Sequence, residues 1–263
     1  MSPEAGLALL IVALYLLDSL LLLRPDEAVL VCSQRWHAGF GTRGYKLAGR
    51  EPWLANPWLP HRPVFRLRWR VAQPSTDPLP VSDLPRDPGD VSHAEFEPRL
   101  RRLRQLAPAA CVSWLLLVVL IPCTLLWPLL TSGIFATLAA AALLYVNIAL
   151  ALALVWRWRD DLGLSGRAFA LLAFECLVCA PYSANLVRRL SWHARIDEDF
   201  AEAAARLLEP PALIEVRREC LARIDEWLEA EPEGGTAATD LRAARARLAA
   251  QIDAAAGESG ARD

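Results

Sequence analysis

The apolar positions of this chain fall in four long blocks, with charged and proline-rich stretches between them. The first block, residues 6–23 ("GLALLIVALYLLDSLLLL"), runs for about 18 residues, enough to cross roughly 30 Å of hydrocarbon. It opens after Glu4 rather than after positive charge, and it closes at Arg24-Pro25-Asp26 rather than at small residues. It therefore reads as a retained transmembrane helix behind an external tail, residues 1–5. The second block, 109–131, and the third, 135–156, are separated only by a short Ser-Gly-Ile link, which predicts a tight helical hairpin. Pro122 and Pro128 should kink its first helix, since each removes a backbone donor. Trp114, Trp127, Trp156 and Trp158 fall near the block ends, as an interfacial aromatic belt requires.

The fourth block, 168–187, is different. It is apolar for 13 residues from Ala168 to Ala180 except at Glu175, and then meets Pro181, Ser183 and Asn185. A run of that length suits a buried or re-entrant segment better than a span. The fold class is thus an α-helical integral membrane protein with three transmembrane helices and a fourth membrane-embedded or spanning segment, plus a small β-rich cytoplasmic insertion and a C-terminal helical region.

The polar stretches predict the rest. In 24–72, "FRLRWRV" (65–71) alternates strictly, with Phe65, Leu67, Trp69 and Val71 on one face and Arg66, Arg68 and Arg70 on the other. "EAVLVCS" (27–33) is its plausible partner, and four prolines between 52 and 63 exclude a helix there. Trp53 and Trp58 are expected to fill the core of so small a unit. Residues 73–91 carry five prolines and no periodicity, which reads as a stiff linker. Ser92-x-x-Glu95 is a capping-box start for a basic juxtamembrane helix over 92–108. The acidic tail, 196–263, reads as helices that break at Glu209-Pro210-Pro211, with Leu213, Val216, Cys220, Ile224 and Leu228 on one face.

Composition agrees with this segregation: 54% of the 263 residues are hydrophobic and mean hydropathy is +0.25, yet 22% are charged. Charge then orients the chain. The N-terminal tail and the 131–135 turn lack Lys and Arg, whereas Arg24, Arg99 to Arg104, Arg157, Arg159 and Arg167 flank the blocks. Positive charge stays inside, so the N-terminus is outside and 24–108 is cytoplasmic in an inner (plasma) membrane. If the fourth block does not cross, Arg188, Arg189 and Arg195 join the same side; if it crosses, they are exported.

Arg99, Arg101, Arg102 and Arg104 just before the second block should attract anionic lipid headgroups, at about 1 kcal/mol per residue. The basic strand face of Arg66, Arg68 and Arg70 suits phosphate, headgroups or an acidic protein segment. Residues 24–108 carry net charge +5 and 190–263 carry −7, so the tail is a candidate to dock on that face, within the chain or between copies. No nucleic-acid motif accompanies the charge. A protein partner or homo-oligomer is therefore the expected company, beside lipid.

Two acids interrupt apolar blocks. Asp18 and Glu175 both lie roughly 9–12 Å below the cytoplasmic boundary at 1.5 Å per residue. Charge at such depth points to function: a shared proton or a partner's arginine. The plain alternative is snorkelling or a hydrogen bond across helices, with Asn147 as a partner.

Gly39-x-Gly41-x-x-Gly44 matches a dinucleotide fingerprint, but Pro52 follows too soon for the required helix, so turns are the better reading. Cys176-Leu177-Val178-Cys179 is similar to the Cys-x-x-Cys of membrane thiol oxidoreductases of the disulfide-bond-forming type, over four residues. Such enzymes need a second cysteine pair in an outer loop, and the short turn here has none. Cys111 and Cys123 sit about 18 Å apart on one helix, too far to bridge. A late helix position and the adjacent Glu175 both disfavour a thiolate at Cys176 and Cys179, so packing is the reading. The histidines show no ligand spacing, and neither a metal nor a cofactor is expected. With no catalytic constellation, the sequence reads as a membrane scaffold or assembly partner. A thiol or lipid-modifying enzyme using Cys176, Cys179 and Glu175 is the alternative, and an oligomeric transporter component the third.

Overall fold

A computed structural model describes residues 3–69, 90–91, 93–126, 134–196, 198–231 and 235–260. They divide into two compact units. The first draws on Met1–Pro25, Gly41–Arg66 and Gly89–Asp197, and the second on Asp26–Phe40, Leu67–Pro88 and Glu198–Asp263. The stretch 24–72 is therefore not one β-rich unit. It contributes strands to both, and the linker expected over 73–91 lies outside the described residues except for Asp90 and Val91.

The first unit begins with α1, Pro3–Asp18. The expected helix over 6–23 stops five residues early, where the Ser19 amide makes a last helical bond to the Tyr15 carbonyl at 3.1 Å and the Ser19 hydroxyl bonds to the same oxygen at 3.0 Å. A side chain that occupies a carbonyl in this way competes with the helical ladder. The last leucines instead form strand β1, Leu20–Leu23, which pairs antiparallel with β4, Glu51–Leu54, in the register Leu20 to Leu54. At 16 residues α1 is about 24 Å long, short of a full hydrocarbon core.

The basic helix and the second apolar block form one continuous rod: α2 (His93–Trp114), a π-helical segment (Leu115–Leu120) and α3 (Ile121–Leu126). Pro122 follows the π segment directly. Its ring would crowd the carbonyl four residues back. The wider turn, with Ile121 N–H bonded to Leu116 O, absorbs that clash without a break. Trp127 and Pro128 lie outside the described residues. Helix α4, Ile134–Arg157, packs along this rod. Leu103, Leu106, Ala110 and Leu117 on one side and Ala140, Leu144, Ile148, Ala151 and Val155 on the other are buried at helical spacing. Among the described residues two helices, Glu97–Leu126 and Phe135–Arg157, are long and apolar enough to cross a membrane.

The fourth block is broken into three helices: α5 (Gly166–Val178), α6 (Pro181–Ala184) and α7 (Leu186–His193). Ser165 caps α5, accepting from Ala168 N. Pro181 opens α6 at a position where its missing N–H is harmless. Strand β7, Arg195–Ile196, then runs parallel to β6, Asp90–Val91.

The second unit has the antiparallel hairpin of β2, Glu27–Cys32, and β3, Trp36–Phe40, and takes in the end of strand β5, Val64–Arg68, from Leu67 on. The expected alternation holds over the described part of β5 and its end: Phe65, Leu67 and Trp69 are buried, Arg66 is half-buried and Arg68 is exposed. Helices α8 (Phe200–Leu207), α9 (Pro210–Ala230) and α10 (Thr236–Gly260) follow, separated at Pro210 as expected. Phe200 meets Phe40 edge-on at 5.2 Å, and Trp227 meets Trp69 at 5.3 Å. So within this unit the acidic tail packs on strands through aromatic rings. Charge adds the Arg35–Glu209 pair at 2.9 Å, which is widely exposed.

Candidate functional site

Helix α7 places two arginines side by side, and on a helix adjacent residues point about 100° apart. Arg189 turns toward the carboxylates. Its Nη2 and Nε donate to Asp18 Oδ1 at 2.6 and 3.2 Å, and its Nη1 donates to Glu175 Oε2 at 2.6 Å. Its Cζ also lies 3.5 Å from the centre of the Tyr182 ring. Arg188 turns inward and is 3% exposed. It donates to Asn185 Oδ1 at 2.9 Å, to Ser19 Oγ at 3.2 Å and to the Asn56 carbonyl, while its Nε is buried without an acceptor. Asn185 Nδ2 donates to Asp18 Oδ2 at 2.9 Å, and the Tyr15 hydroxyl donates to the Pro57 carbonyl. One cluster thus ties together the end of α1, the turn after β4, α5, α6 and α7.

Asp18 and Glu175, expected to share a proton or to face a partner's arginine, are bridged by Arg189 of this same chain. Asn147 takes no part. It donates to Ala109 O and Ser113 Oγ at 2.9 and 2.8 Å, holding α4 on α2. At its Asp18–Arg189 centre the cluster is fully engaged: both Asp18 oxygens and all three Arg189 guanidinium nitrogens have partners. Charge-assisted bonds of this kind are strong and directional, and here they join the end of α1 to α5 and α7. The sequence signals were a lone Asp-Ser within leucines and an Arg-Arg pair in the fourth block. Tyr15, Asn56, Pro57 and Asn185 carried no signal.

Cys176 is fully buried, Cys179 forms the C-terminal cap of α5, and both are free thiols. Pro181 does open a helix behind Cys179, but α6 has four residues, too few to polarise a thiol. Among the described residues no three His, Cys, Asp or Glu side chains gather as metal ligands.

The basic residues separate. Arg99 is buried, its guanidinium against Gly163, so it is not offered to headgroups as expected. Arg102 pairs with Asp161 at 2.7 Å and covers Trp158 at 5.1 Å. Arg101 and Arg104 are exposed. Arg66 stacks on Trp192 at 5.2 Å, Arg68 is exposed, and Arg70 lies outside the described residues. Trp58, expected in a core, is 70% exposed with its ring against Trp114. The three-glycine motif serves shape: Gly41 lies against Glu51, where any side chain would clash.

Two imidazoles lie beside these groups. Burial, then Arg62 and Arg188, hold His61 below its usual pKa; burial, then Arg189 and Arg66, do the same to His193. No protein-family model, curated protein or solved structure matches this chain.

Proposed function

We propose that this chain is a multi-pass inner-membrane scaffold or assembly partner, with the α2–α3 rod and α4 as spans, the shorter α1 as a third that local thinning of the bilayer accommodates, and α5–α7 as a segment that enters and leaves on the cytoplasmic side. The observation that carries the reading is the pairing of the Asp18–Arg189–Glu175 clamp with open apolar helix faces. Leu9, Leu17, Leu138, Leu150, Leu171 and Phe174 are all exposed. Apolar surface on that scale is covered by lipid or by another helix. The buried ionic groups serve registry, one of the best-attested uses of such groups.

The re-entrant topology draws support from two contacts. The Arg102–Asp161 pair brings the end of α4 beside the start of the rod, and the β6–β7 pairing brings residue 195 beside residue 90. Ends that touch lie at one face of a bilayer, and positive charge assigns that face to the cytoplasm. Arg101, Arg104 and Arg68 remain as headgroup or partner contacts.

The experiment has two arms. A reporter active only in the periplasm, fused after residue 195, should stay silent, and activity there overturns the topology. Purification in mild detergent should return an oligomer or a stoichiometric partner, and a monomer without one overturns the scaffold reading. Cys176→Ala/Cys179→Ala should leave assembly unchanged; loss of function with assembly intact would favour the thiol enzyme.

A further inference from the structure

We propose that Cys111 and His61 form a thiol–imidazole pair that accepts a fatty acyl group from an acyl thioester, making Cys111 an S-acylation site at the inner edge of the α2 span. The inference rests on the membrane reading above. Cys111 Sγ lies 3.3 Å from His61 Nδ1, in a part-buried position that fifty residues of intervening chain bring together. A second contact fixes the same crossing: Trp58, three residues before His61, meets Trp114, three residues after Cys111, at 6.0 Å. Residues three apart share a helix face. The 58–61 turn is therefore held on one stripe of α2 at two points.

Three further features suit an acyl acceptor. Cys111 lies seven residues past Arg104, about 10 Å further along the axis. In the membrane reading that is where a thioester carbonyl meets hydrocarbon, and juxtamembrane cysteines are the usual site of reversible acylation. Val112, Leu115 and Trp58 expose apolar surface beside the thiol, along which a chain can lie. Trp114 Nε1, one turn on, is a buried donor without an acceptor, and an acyl carbonyl seated in this seam would supply one. Cys176 is sealed, and Cys123 is exposed but twelve residues deeper in the apolar stretch, so it serves as an internal control.

The step balances without an oxidant. The Cys111 thiol passes its proton to His61 Nδ1 as Sγ attacks the thioester carbonyl. The carbonyl–sulfur bond to the donor breaks, and the departing thiolate recovers the proton from the imidazolium. One thioester replaces another.

The test incubates the full chain, solubilised in detergent, with palmitoyl-coenzyme A and maps hydroxylamine-labile adducts by mass spectrometry. Label is expected on Cys111, absent in Cys111→Ser, and formed about a hundredfold more slowly in His61→Gln, the scale of a lost general base. Trp114→Phe should slow it less. Equal labelling of Cys111 and Cys123, no label on Cys111, or an unchanged rate in His61→Gln with circular dichroism intact overturns the proposal. Carbonate extraction of native membranes is run in parallel. Release of the chain overturns the membrane reading alone, because the labelling arm needs no bilayer.

Discussion

The two compact units are built around opposite kinds of interior. The first buries Ser19, Glu51, Arg99, Ser183, Asn185, Arg188 and Ser191, and knots helix ends through Asp18, Arg189 and Glu175. The second buries chiefly rings and aliphatic chains, with Glu27 and Arg223 as its buried charged residues among those described. Phe40, Phe200, Trp69 and Trp227 set its contacts, with Arg223 lying over Phe40 at 5.0 Å. Apolar contact is non-directional and tolerates adjustment. Buried hydrogen-bonded charge is directional, and every member fails when one partner is lost. Under the proposed membrane reading, lipid-facing helices gain little from another apolar contact, so polar groups are what distinguish the native arrangement from a slipped one.

The comparison can be broken most sharply in the second unit. Phe200→Ala should cost about 3–5 kcal/mol, read as loss of hydrogen-exchange protection in α8 and α9, because the ring is fully buried. A loss near zero would mean that the rings are not its core.

Next comes the clamp. Arg189→Met should cost about 2–3 kcal/mol, below the value for a sealed pair because Glu175 is a third exposed. Asp18→Asn/Glu175→Gln in the same background should restore most of it. Asp18→Leu and Glu175→Leu share Arg189, so their effects should miss additivity by about 1 kcal/mol. Independent, additive effects would remove the coupling.

Acid provides a smaller lever on the first unit. His61 and His193 have depressed pKa values when folded, whereas an unfolded imidazole protonates near pH 6.5. Between those limits the unfolded chain binds more protons. The stability these residues contribute is therefore complete above about pH 6.5 and declines as pH falls below it. His193→Gln should flatten the fall of Tm between pH 6.5 and 5; an unaltered slope would remove His193 as a cause. The least effect belongs to Arg35→Ala. Its exposed pair with Glu209 should be worth under about 0.5 kcal/mol.

Much of this was legible before any coordinates. The apolar stripes of the α2 rod and α4, the break at Pro210 and the alternation of β5 follow from periodicity, which any packed face must obey. That Asp18 and Glu175 each needed a partner followed from charge set within apolar runs. The end of α1 at Asp18, the π turn before Pro122 and the burial of Arg99 did not, because each depends on which backbone groups lie nearby. The same holds for His61 beside Cys111, whose neighbours in sequence say nothing of one another.

The sequence by itself determined where apolar surface must be covered and which charges needed partners, since hydrophobic periodicity and the cost of unpaired charge are properties of the chain alone. The tertiary structure decided which arginine met which carboxylate, which of the basic residues stayed open, and which cysteine found an imidazole. Those are choices among chemically equivalent groups, and only three-dimensional proximity separates them.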